Sequence, residues 1–124
     1  MRLGFTGSQG GMDEGQIDRV RDLIGQATEL HHGDCIGSDA QAHVIAMTLG
    51  VRTVIHPPDD GRKRAFCQAD EAREPRPYLT RNHNIVNETD SLIAAPDGPE
   101  RRRSGTWATI RYARKIGKPV TIIG

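Results

Sequence analysis

The chain has 124 residues, enough to bury one core without disulfide or metal support, and its formal net charge is +1. A balance so close to neutral supplies no overall pull toward nucleic acid or a membrane surface, so any anion binding has to come from local clusters. No stretch approaches the roughly 20 apolar residues of a membrane span, and the opening "MRLGFTGS" has too short an apolar run for a secretory leader. The two cysteines, Cys35 and Cys67, form no C-x-x-C pair. A cytoplasmic protein with free thiols is the expectation.

In chain order, "RLGFTGS" (2–8) is a short apolar run ending in glycine, a strand, and in 13–27 Ile17, Val20, Leu23 and Ile24 recur at helical spacing behind Asp13, a helix cap. "TELHHGD" (28–34) reads as a second strand. The stretch 38–50 places Ala42, Ile45, Ala46 and Leu49 on one helical face, closed by Gly50. "VRTVIHPP" (51–58) is a strand stopped by Pro57 and Pro58. From 57 to 77 the chain is bounded by prolines, rich in both charge signs and nearly free of core residues; it reads as an excursion from the scaffold with a short helix over 65–72. Next, 78–90 is a helix with Leu79, Ile85 and Val86 on a shared face, and "SLIAAP" (91–96) is a buried strand. The loop "DGPERRR", a helix over 105–117 and the closing strand "KPVTIIG" complete the chain.

Five strands interleaved with helices define an α/β domain, 1–124, with a mainly parallel five-stranded sheet covered on both faces: a Rossmann-like three-layer sandwich. Right-handed crossovers place every strand's C-terminal end on one edge, where such sheets bind ligands. Three glycine-rich loops fall there: Gly7 to Gly11, Gly33 to Asp39, and Pro96 to Thr106. The last two lead into helix N-termini, whose free amides and positive dipole end favour an anion. In "RSGTWAT", Gly105 lets backbone approach a phosphate, Ser104 and Thr106 add hydroxyls, and Arg101, Arg102 and Arg103 add charge. Neither G-x-G-x-x-G nor G-x-x-x-x-G-K-[ST] is present. For any one loop, a plain turn with Ser38 or Ser104 as a helix cap explains the residues as well; three loops on one edge argue for a site.

"GFTGS", "HHGDCIGSDAQAH", the Arg81-Asn82 pair and "SGTWATIRYARKIGKPV" resemble the SLOG superfamily of Rossmann-like proteins, which includes the Lonely-guy phosphoribohydrolases and the Rossmann core of DNA-processing protein A. The likeness covers nearly the whole chain and is nearest to short bacterial members. It implies a nucleotide or nucleotide-derived ligand, with phosphate near Ser104, Gly105 and Thr106 and the sugar or base near Gly33, Gly37, Ser38 and Asp39. Gly7, Ser8, Gln9, Asp34, Arg81, Asn82, Pro96, Arg103 and Trp107 complete the expected ligand-binding residues. It also implies a homo-oligomer. The phosphoribohydrolases carry P-G-G-x-G-T-x-x-E, whose glutamate acts with an arginine from a preceding helix. Here Ala108 and Thr109 occupy the glutamate register, and Arg81 is the counterpart of the arginine.

The expected function is therefore binding of a nucleotide-like small molecule. Its alternative is N-glycosidic cleavage of nucleoside 5′-monophosphates with Asp39 and Arg81 as catalytic groups, although Asp39 also suits a cap at its helix. DNA binding ranks third, because the charge is balanced. No cofactor and no metal are expected: His31 and His32 alternate to opposite faces of their strand and cannot share an ion. Cys35 is a nucleophile candidate only if its thiol is acidified. His56 reads as an exposed turn residue, and Trp107 either packs under the loops or stacks on a base. Residues 59–76 read as a solvated excursion, or as a flap bringing Arg62, Lys63 or Arg64 over the edge.

Overall fold

A computed structural model describes residues 1–124. Six strands, β1 (Arg2–Gly7), β2 (Glu29–His32), β3 (Arg52–Ile55), β4 (Glu71–Ala72), β5 (Ser91–Ala95) and β6 (Val120–Ile122), form one sheet in the order β4-β3-β2-β1-β5-β6. Every pairing in it is parallel. The four helices are α1 (Glu14–Ile24), α2 (Ser38–Thr48), α3 (Tyr78–Asn87) and α4 (Gly105–Lys115). Helices α1 and α2 pack on each other over one face, and α3 and α4 do so over the other. The chain runs outward from β1 to β4, then returns to the far side of β1 for β5, so the order reverses at β1. The C-terminal ends of β1 and β5 therefore flank a natural crevice.

Alternation along the strands divides the core. Leu3, Phe5, Leu30 and Ile93 point toward α1 and α2 and join Val20, Ile24, Ala42, Ile45 and Ala46 in the main apolar cluster. On the other face the clusters are smaller: Val86, Leu92 and Ala113, then Ala94, Trp107 and Ile110. Helix α1 starts as its sequence predicts. The Asp13 carboxylate accepts from the Gln16 N–H at 2.8 Å, and the Gln16 side-chain oxygen accepts from the Asp13 N–H at 3.1 Å. Gln16 Nε2 also donates to the carbonyls of Pro96 and Ile123, tying α1 to the ends of β5 and β6.

Three expectations need correction. The sheet has six strands, not five, and the short helix expected over 65–72 is absent. In its place a 3-10 turn, Gly61–Lys63, precedes the two-residue strand β4. The reason lies in β3, whose outer edge would otherwise leave backbone groups unpaired. The Asp70 carboxylate accepts from the Thr53 N–H at 2.8 Å, β4 pairs with Val54 and Ile55, and the Arg73 N–H donates to the Ile55 carbonyl. Leu79, expected on the buried face of α3, is 62% exposed; Arg81, Ile85 and Val86 are the buried residues of that helix.

Gly37 precedes α2 with φ of +90°, and a Cβ there would fall on the Gln9 carbonyl. Gly37→Ala is expected to lower the unfolding free energy by at least about 2 kcal/mol, measured by urea denaturation.

Candidate functional site

A cavity of about 420 Å³ opens at the crevice. One wall is the N-terminus of α4. Ser104 is the cap, its Oγ accepting from the Trp107 N–H at 3.2 Å, which leaves the first-turn amides of Gly105 and Thr106 without intrahelical partners. A Cβ at Gly105 would meet nothing within 4 Å, so its backbone is open to a close approach. Arg101 and Asp97 pair at 2.9 Å on the rim. Arg103 lines the cavity, and no ion pair or side-chain hydrogen bond engages it.

The opposite wall is one face of α3. Tyr78, Arg81, Asn82 and Ile85 follow each other at helical spacing and all line the cavity. Arg81 is the chain's only buried arginine or lysine, at 5% exposure. Its Nη1 donates to the Gly33 carbonyl and, at 3.3 Å, to the His56 carbonyl, while Nη2 lies 3.5 Å from Cys35 Sγ. Its Nε–H finds no acceptor, and the guanidinium carbon sits 5.0 Å from the centre of the Tyr78 ring. No carboxylate forms an ion pair with this charge.

Between these walls lie Gly33, Cys35 and Asp39. Asp39 Oδ2 accepts from the Cys35 N–H at 3.2 Å. Burial raises the Asp39 carboxyl to about 6, against an ordinary value of 3.8, with the Arg81 charge pulling the other way. Burial, and next the Asp39 charge, push the Cys35 thiol up, so this sulfur is not the acidified nucleophile the sequence allowed for. Burial takes Cys67 up to about 12.

Most of the residues predicted from the sequence meet here. Gly7, Ser8, Gln9 and Gly33 line the cavity, as do Asp39, Arg81 and Asn82, and on the α4 side Arg103, Ser104, Gly105 and Thr106. Five others do not. Asp34 turns away, its carboxylate held by Arg64 Nε at 2.7 Å and by the Cys67 N–H at 2.9 Å. Gly37 packs on Gln9, and Ser38 Oγ donates to the Ser8 carbonyl at 2.7 Å. Pro96 offers its carbonyl to Gln16. Trp107 packs on Ala94 and Ile110 with Nε1 donating to the Gly98 carbonyl, so packing rather than stacking on a base explains it.

Sequence reasoning missed Phe5, Thr6, Tyr78, Leu79 and Ile85 as cavity residues; Gly10, Asp97 and Arg101 line it from within the expected edge loops, and Cys35, named as a nucleophile candidate, lines it too. The signal for the α3 residues was present in the spacing 78, 81, 82, 85. It was masked because Leu79, Ile85 and Val86 suggested a different face. Two flap cations are already engaged, Arg62 by Asp60 and Arg64 by Asp34, while Lys63 Nζ donates to Gln9 Oε1 at 2.9 Å.

His56 is not the exposed turn residue expected from the sequence. His56 is 2% exposed, and its Nε2 lies 2.9 Å from His31 Nδ1, with His31 Nε2 held by Glu29. On the other face of β2, His32 Nδ1 accepts from the Asp34 N–H, so its Nε2 donates to His43 Nδ1 and His43 Nε2 donates to the Gln68 carbonyl. Both nitrogens of His32 and of His43 are thereby committed to hydrogen bonds. Burial, then the neighbouring His43, holds His32 well below the ordinary histidine range. In the register of the phosphoribohydrolase glutamate, Thr109 is 1% exposed and its hydroxyl donates to the Gly105 carbonyl.

A parallel sheet with helices on both faces and a cleft where the strand order reverses defines a Rossmann-like domain. No family model matches the sequence, and comparison with curated proteins gives no match. Among solved structures, the chain is similar to the molybdenum cofactor binding protein of the phototrophic bacterium Rippkaea orientalis. The TM-score is 0.75 at 21% identity, over 98% of this chain and 74% of that one. The Moco carrier protein of Chlamydomonas reinhardtii gives 0.74 at 24% identity, over 99% and 75%. DNA processing protein A of Streptococcus pneumoniae gives 0.71 at 16%, over 99% of this chain and 50% of that one. At these identities the likeness establishes the fold alone. No helix is long and apolar enough to cross a membrane.

Asp39 tests the electrostatics of the cleft. Its folded-state carboxyl titrates above its unfolded value, so its charge costs stability above about pH 6, and that cost fades as pH falls toward 3.8. Asp39→Asn is expected to raise the unfolding free energy at pH 8 by about 1–3 kcal/mol, with the gain gone near pH 4. Denaturant unfolding at both pH values checks it.

Proposed function

We propose that the chain binds a nucleotide or nucleotide-derived small molecule in this cleft, with the ligand's phosphate on the N-terminus of α4. The observation that carries the reading is the set of donors around the cavity left without acceptors. These are the first-turn amides of α4, the unpaired guanidinium of Arg103 and the Nε–H of Arg81, whose other donors meet two carbonyls and a thiol but no carboxylate. Buried or converging donors of this kind favour an anion, because a phosphate meets several at once through charge-assisted hydrogen bonds. Holding a ligand has precedent in the fold, since two of its structural neighbours are a cofactor-binding protein and a carrier protein. Asn82 lines the same cavity with a side-chain amide that no hydrogen bond engages, and suits the polar edge of a base or sugar.

A ligand that binds only the folded chain raises its melting temperature. A 5′-mononucleotide in a panel of the four bases is expected to do so, and Arg103→Ala to weaken that binding about tenfold with the ligand-free melting temperature unchanged. A flat response to every nucleotide would sink the reading.

A second reading, cleavage of the N-glycosidic bond of a nucleoside 5′-monophosphate, is favoured by one observation. Asp39, raised to about 6, and Arg81 line the same cavity, and a carboxyl titrating near the working pH suits proton transfer to a leaving base. On this reading purified protein releases free base and ribose phosphate, and Asp39→Asn lowers the rate at least about a hundredfold, followed by chromatography of the products. Turnover unchanged in that variant removes Asp39 from the mechanism.

A further inference from the structure

The cleft does not end at Tyr78. A second cavity of about 450 Å³ lies on the other side of a shared wall formed by Gln9 and Tyr78, and is otherwise lined by Asp60, Arg62 and Lys63. Its charges are unequal in availability. Asp60 and Arg62 neutralise each other through a bidentate pair, Nε of the arginine donating to both carboxylate oxygens and Nη2 to Oδ2. Lys63 has only a neutral partner, Gln9 Oε1 at 2.9 Å, and no carboxylate pairs with it. One cation is thus left for an incoming anion, at the end of the cleft away from α4. The wall between the cavities is an aromatic ring with the Arg81 guanidinium against it, a surface suited to a planar heterocycle. The Tyr78 hydroxyl makes no hydrogen bond within the chain.

From this arrangement we infer that the ligand is dinucleotide-like and carries two phosphates. One phosphate sits on the α4 N-terminus, a ring lies along Tyr78, and the second phosphate is at Lys63, where it replaces Gln9 as the partner of Nζ. Each cavity is of a size that holds one nucleotide-scale group, and their common wall lets one molecule occupy both. The inference rests on the proposed phosphate site and adds to it the length and second charge of the ligand.

The test compares, by titration calorimetry at one salt concentration, each 5′-mononucleotide with the 5′-phosphorylated dinucleotide of the same base, and with a longer 5′-phosphorylated single strand. The dinucleotide is expected to bind at least about tenfold more tightly than the mononucleotide, and Lys63→Ala to bring that ratio close to one. Tyr78→Ala is expected to shrink the same ratio, while Tyr78→Phe keeps it. Equal affinities for mononucleotide and dinucleotide overturn the inference and leave the phosphate site standing. Absence of binding by all probes overturns both. Affinity that keeps rising with strand length overturns the small-molecule class in favour of a nucleic-acid end.

Discussion

The buried guanidinium of Arg81 is the contact on which the site depends. A parallel sheet leaves carbonyls at the C-terminal ends of its strands with no ladder partner, and here one arginine takes two of them, from Gly33 after β2 and His56 after β3. That pins α3 across two strand ends and sets the floor of the cavity. It also dictates its neighbours. Gly33 must be glycine because a Cβ would land on the guanidinium, and the loop it opens carries Cys35 and Asp39 into place. A charge surrounded by neutral acceptors, with one N–H unmet, is a poor arrangement for stability alone. Such costs are tolerated where a ligand, when present, offsets them.

The unsatisfied groups are concentrated rather than scattered. The orphaned Arg81 Nε–H and the free first-turn amides of α4 border one cavity, beside an Asp39 carboxyl that accepts from the Cys35 N–H yet carries a burial penalty, while the other buried side-chain polar atoms have found partners. The histidines make the contrast clear. His31 with His56, and His32 with His43, are as deeply buried as any apolar residue, yet each ring is tied to a neighbour. They link the two faces of β2 to their neighbours through ring-to-ring hydrogen bonds, and the polar character that draws attention to "HHGDC" in the sequence lies inside the fold.

Much of this was legible in the sequence, because helix and strand periods, glycine stops and capping residues are local signals. The capping box at Asp13, the alternation of βα units and the glycine-rich loops at one edge of the sheet all follow from them. The departures share a cause, which is that long-range partners decided the outcome. Strand β4 exists because β3 needed an edge partner, not because Glu71 and Ala72 favour extended structure. Leu79 lies outside the core because the buried stripe of α3 begins with an arginine whose partners are 25 and 48 residues away in sequence. Gly7 and Gly37 looked like residues that admit a ligand; a Cβ at either would collide with a neighbouring loop or helix, so they let the β1 loop pack against the start of α2. In the loop before α4 the helix cap expected at Ser104 is formed, and that loop is a wall of the cavity.

The margins of the sheet have a consequence for how copies of this chain can meet. One outermost strand is β4, with two residues, and the other is β6, with three. Neither offers a run of free backbone long enough to template a further strand, and the first is bordered by Glu71 salt-bridged to Arg52 and Arg73. Continuation of the sheet from molecule to molecule, the route to fibrous aggregates, is thereby closed at both sides. Association between copies is left to helical surfaces, where Val44 and Met47 on the outer side of α2 are each at least 60% exposed.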